Sequence, residues 1–163
     1  MLTLKEQAQV CRIGLVIGLL LQADVARWAD GIIESDDSPD SALIDISLMG
    51  SSNLPTLLTA LYDVQGDADS GRVVNAVLGI CAVRLLRGSL TADEAAVVLD
   101  ALVPDMSCRR CNIRAEYTAP VDPKTAAAIR AALTENAAAK FLAPYAAYAT
   151  DITLKEPDYE QTD

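Results

Sequence analysis

Apolar residues recur along this chain at helical spacing. Val25, Trp28, Ala29, Ile32 and Ile33 fall at i, i+3, i+4, i+7 and i+8, one stripe of an amphipathic helix. Leu54, Leu57, Leu58 and Leu61 form a second such stripe, opened by Asn53 and Pro55. Ala95, Val98, Leu99 and Leu102 form a third. Boundary residues agree with these stripes. Thr3 with Glu6 and Thr91 with Glu94 are capping boxes, in which hydroxyl and carboxylate each satisfy an orphan backbone N–H.

The same signals fill most of the remaining chain. The first helix is expected to run to about Gln22 and the second to stop in "ESDDSPD", where Ser38 is placed to cap a new helix with Pro39 at its first position. The following "DSALIDISLM" alternates weakly, but no partner strand is apparent, so it is read as a short helix. A long helix is expected from about Gly71 to Arg87, stopped by Gly88. Pro104 is expected to end the helix opened at Thr91, and Asp122 with Pro123 to open an alanine-rich one through Ile129 and Leu133. A break is expected near Asn136, with helix resuming to Tyr148. No residue signature repeats at a fixed period. The pattern predicts an all-α, compact single-domain bundle of about six to nine helices over residues 1–149. Residues 150–163, with five acids against Lys155, are expected to be a disordered acidic tail.

Composition supports helices and narrows the chemistry. Hydrophobic residues make up 52% of the chain and aromatics 4%, so the core is aliphatic. The absence of histidine removes the commonest general base, the commonest metal ligand and every Ser-His or Cys-His pair, which argues against an enzyme. Net charge is −10, opposite to what nucleic acid or an anionic membrane surface requires. The longest apolar run, "IGLVIGLLL" from Ile13 to Leu21, is far short of the roughly 20 residues that span a bilayer. It also lacks the basic start and cleavage site of a signal peptide. It is read as a buried central helix of a cytoplasmic protein, with Gly14 and Gly18 on one face admitting a neighbouring helix.

Several groups of residues could carry specific chemistry. In "YDVQGDADSGRVVNA", Tyr62 to Ala76, Gly66 and Gly71 are spaced almost as in a phosphate-binding loop. Arg72 and Val73, however, stand where that loop needs Lys and then Ser or Thr, and Asp67 and Asp69 would repel phosphate. A calcium loop started at Asp67 would place Leu78 where Glu is needed. The stretch is therefore an interhelix turn, with Asp69 or Ser70 capping the next helix. "CRRC", Cys108 to Cys111, lacks both a strand-helix-strand context for redox work and two further zinc ligands. No metal, cofactor or essential thiol is expected, and Cys11 and Cys81 read as core residues. The carboxylate pairs Asp36–Asp37 and Asp93–Glu94 sit in loop or first-turn positions, where solvated acids are normal. Arg84, Arg87, Arg109, Arg110 and Arg114 form a weak basic group, expected to pair with the acidic half.

That acidic half is the main functional signal. Between Trp28 and Gly71 lie nine acids, Asp30, Glu34, Asp36, Asp37, Asp40, Asp45, Asp63, Asp67 and Asp69, and no Lys or Arg. Such a surface suits a basic protein partner. The loop acids Asp36, Asp37, Asp40, Asp67 and Asp69 are the candidate partner-binding residues.

The segment "DVARWADGIIESDDSPDSALIDISLMG" resembles small cytoplasmic immunity proteins of bacterial polymorphic toxin systems. The resemblance is carried by Trp28-Ala29-Asp30, Ile32, Ile33, Pro39 and Ile44-Asp45-Ile46-Ser47-Leu48 and covers about a fifth of the chain. It implies a non-catalytic protein that binds and occludes one toxin, many of which are basic nucleases. The alternative is a helical scaffold or homo-oligomeric adaptor whose acidic face only solvates it.

Overall fold

The computed structural model describes residues 1–103 and 121–152. Among them all regular structure is helical. Eight α-helices follow in order: α1 Leu4–Val16, α2 Gln22–Ser35, α3 Ser41–Leu48, α4 Leu54–Asp63, α5 Ser70–Leu86, α6 Ala92–Leu102, α7 Pro123–Thr134 and α8 Ala138–Leu142. A 3-10 helix, Ala143–Asp151, closes the described chain. The expected stop at Pro104, the CRRC stretch and most of the tail lie outside the described residues. Ile152, placed in the tail by the sequence, is 4% exposed and belongs to the core.

The first helix is shorter than its apolar run. α1 stops at Val16, and Gly18 takes a left-handed φ of +76°. The chain then folds back, with the Leu19 and Leu20 N–H groups donating to the Gly14 carbonyl at 2.8 and 3.0 Å. Ile17, Leu19 and Leu20 remain buried without being helical. A Cβ on Gly14 would stand 2.7 Å from Leu20. Gly14 thus makes room for its own returning chain, and Gly18 lies outside the helix, which corrects the expectation that both admit a neighbour. α2 then starts without a capping hydroxyl, and Asp24 Oδ2 accepts the Leu21 N–H at 2.8 Å.

The central position belongs to α5, which packs against α1, α6, α8 and the 3-10 helix. Its buried residues run without a break from Ala76 to Ala82. Gly79 is where the 3-10 helix comes closest. A Cβ there would lie 2.6 Å from the Ala149 nitrogen and 2.9 Å from the Tyr145 carbonyl oxygen. Gly88 stops α5 as expected, at φ +74°.

α3 starts later than expected. Asp40, not Ser38, is its N-cap, accepting the Ala42 N–H on Oδ1 at 3.0 Å. Ser38 is held in the preceding loop, its N–H donating to Asp36 Oδ1 at 3.0 Å. Trp28 is 2% exposed, and its indole N–H donates to Gln7 Oε1 at 3.0 Å, tying α2 to α1. The antiparallel α2–α3 pair is pinned where the Ser47 hydroxyl donates to Asp30.

Candidate acidic binding surface

All nine acids of the base-free run are exposed. The five candidate residues form two groups on different connections. Asp36, Asp37 and Asp40 occupy the α2–α3 loop, and Asp67 and Asp69 the α4–α5 loop. Three of the five also shape the backbone. Asp36 closes its turn on Ser38, Asp40 caps α3, and Asp69 caps α5 by accepting the Arg72 N–H at 2.9 Å. Each described bond uses Oδ1 alone, and capping holds the carboxylate in a fixed direction.

The Gln7–Trp28 contact joins the start of α1 to the middle of α2. The α4–α5 loop reaches that same end of α1, where the Thr3 hydroxyl donates to the Asp67 carbonyl at 3.5 Å. The two acidic loops share no described hydrogen bond or ion pair, so the acids form two patches rather than one cluster. Among the described residues, no three Asp, Glu or Cys side chains gather as metal ligands, and Asp63, Asp67 and Asp69 do not converge.

The α4–α5 loop is anchored from beneath by a buried carboxylate. Glu6, 2% exposed, accepts the Thr3 N–H at 2.7 Å and the Asp69 N–H at 3.3 Å, and pairs with Arg72 at 3.2 Å. Arg72 also donates to the Met1 carbonyl, and Lys5 to the carbonyl of Tyr62. Lys5 and Arg12 lie over the Tyr62 ring, 5.2 and 5.3 Å from its centroid. Desolvation, with Arg12 nearby, holds the Lys5 ammonium below its ordinary pKa. These cations tie the end of α4 and the start of α5 to the N-terminal segment and α1.

Arg84 departs from the expected pairing with the acidic half. Arg84 pairs with Asp24 at 3.2 Å and donates to the Leu19 carbonyl, and Arg27 also pairs with Asp24, at 2.5 Å. These three ion pairs use Asp24 and Glu6, both buried and both outside the base-free run. Arg109, Arg110 and Arg114 lie outside the described residues.

The sequence stripes did not isolate two exposed apolar residues of α3. α3 buries Leu43 and Ile46 and turns Ile44 and Leu48 outward, 43% and 76% exposed. These two sit at i and i+4, beside exposed Asp45. Their spacing was the available signal, since an eight-residue helix with four large aliphatic residues cannot bury them all on one face.

Cys11 and Cys81 are buried, as expected. Burial, with Asp24 adding to it, pushes the Cys11 thiol far above its ordinary value, and burial raises that of Cys81 to about 12. No helix among the described residues is long and apolar enough to cross a membrane. The chain matches no known family model, no curated protein and no solved structure.

Proposed function

We propose that this chain is a non-catalytic acidic module that binds a basic protein partner, in the manner of an immunity protein occluding a toxin domain. The observation that carries the proposal is the run of nine exposed acids without a base along the chain between Trp28 and Gly71. Exposed Ile44 and Leu48 on α3 add apolar area of the kind that stable interfaces bury. Asp36, Asp37, Asp40, Asp67 and Asp69 supply the charge that speeds encounter and fixes orientation. Capping by Asp40 and Asp69 limits the reorganisation that binding would otherwise require.

The test is capture from the native lysate with the full chain immobilised, followed by elution in a salt gradient. The expected result is one basic protein retained at low salt, binding with an association rate that falls as salt rises. Retention of no partner, with the chain forming a stable homo-oligomer, would replace this function with the scaffold alternative.

A further inference from the structure

An open groove of about 720 Å³ lies along α7, α8 and the 3-10 helix, with Asn75 of α5 contributing to its wall. One part of its lining is methyl groups, Ala128, Ala131 and Ala132. Another is aromatic, Phe141, Tyr145 and Tyr148. The chain has only seven aromatic residues, and three of them line this groove.

Asn136 ends α7 in a left-handed turn, φ +52°, with the Ala137 N–H donating to the Ala132 carbonyl and the Asn136 N–H to that of Leu133. The nine-residue 3-10 helix is much longer than the three or four residues at which such helices usually stop. It packs on Gly79 at a distance that admits no side chain.

Three features specify the ligand. First, the groove carries one acid, Glu135, and one base, Lys140, on a chain of net charge −10. It therefore suits an uncharged segment, unlike the acidic face. Second, Tyr145, Tyr148, Lys140 and Asn75 offer hydrogen-bond donors, while Glu135 alone is purely an acceptor. That favours a ligand rich in carbonyls and poor in N–H groups. Third, Phe141, Tyr145 and Tyr148 form a run of contacting rings, with centroids 5.3 and 6.2 Å apart, an aromatic lining of the kind on which proline-rich segments dock.

We propose that this groove binds a proline-rich segment of a partner protein in the polyproline II conformation. Prolines would lie against the rings and alanine methyls, with their carbonyls accepting from the tyrosine hydroxyls. Desolvation, then Tyr148 and Asp122, raise the Tyr145 phenol above its ordinary pKa, so it remains a donor. A proline-rich segment enters with its conformation preformed and few N–H groups to satisfy.

The experiment is fluorescence anisotropy of a labelled oligoproline peptide titrated with the full chain, against a Gly/Ser peptide of equal length. Tyr148→Ala and Ala131→Arg change exposed positions, and circular dichroism checks that both remain folded. The expected result is saturable oligoproline binding, no Gly/Ser binding, and affinity weakened at least about tenfold in each folded variant. Equal behaviour of the two peptides, or oligoproline affinity unchanged in both variants, would overturn the proposal. So would sedimentation showing a dimer that Ala131→Arg dissolves, because a second copy would then occupy the groove.

Discussion

Glu6 and Arg72 join the first turn of α1 to the first turn of α5 across 3.2 Å. The two ends of this pair are unlike. The Glu6 side chain is 3% exposed and also accepts two backbone N–H groups, whereas that of Arg72 is 47% exposed. Removing the carboxylate strands the Thr3 and Asp69 N–H groups, but removing the guanidinium leaves Glu6 with both. Glu6→Ala is therefore expected to cost about 3 kcal/mol and Arg72→Met about 1 kcal/mol, the latter discounted for solvent screening. Urea unfolding reads both as a lowered midpoint at unchanged slope. The reverse order would show that the pair, rather than the backbone bonds to Glu6, holds the loop.

Gly79 gives a second stability prediction. Added methyls usually meet side chains that can shift, but here the closest atoms belong to the backbone of the 3-10 helix. Gly79→Ala is expected to destabilise by about 1–3 kcal/mol through overpacking. The near-ultraviolet dichroism of the tyrosines should change with it, since Tyr145 and Tyr148 ride on that backbone. Gly88→Ala is the comparison. It meets nothing within 4 Å and should cost only about 1 kcal/mol, for its positive φ.

These two sites show what the sequence exposes and what it hides. The capping boxes at Thr3 and Thr91, the stripe through Trp28 and the stop at Gly88 are local features, and the structure has each where the pattern placed it. The end of α1 was misplaced because hydrophobic periodicity continues through Ile17, Leu19 and Leu20, which are buried in a turn instead of a helix. Nor does an acidic residue announce whether it is solvated or buried. Asp24 and Glu6 look like ordinary first-turn acids, yet they take arginines 60 and 66 positions away, at Arg84 and Arg72 respectively. The exposed loop acids were legible because turn chemistry places them. The groove was not, because it depends on how α5, α7 and α8 meet.

Cysteine chemistry supplies a third prediction. Cys11 and Cys81 are buried, and their raised thiol pKa values leave almost no thiolate at pH 8. In the Cys108→Ser/Cys111→Ser variant, a thiol-specific reagent should modify neither residue in the folded protein at that pH. Both should react fully in denaturant. Rapid modification under native conditions would mean that the α1–α5 core opens far more readily than its packing implies.

The proposed function is tested most directly by the two acidic loops, once the basic partner is isolated. Asp36→Asn/Asp37→Asn alters the α2–α3 loop, and Asp67→Asn/Asp69→Asn the α4–α5 loop. Asparagine caps helices about as well as aspartate, so the second pair should leave α5 folded. The comparison therefore isolates charge. If acids steer association, each double variant should bind more slowly at low salt and approach wild type as salt rises. A residue that only steers should change mainly the association rate, at a cost below about 1 kcal/mol. An acid facing a buried arginine of the partner should instead speed dissociation and cost about 2 kcal/mol or more. The α4–α5 pair is expected to show the second behaviour, because Glu6 and the α5 cap hold Asp69 in place, whereas Asp37 sits in a loop between two helix ends. Wild-type kinetics from both variants at every salt concentration would reduce the acidic run to a solvated surface and remove the basis for the binding proposal.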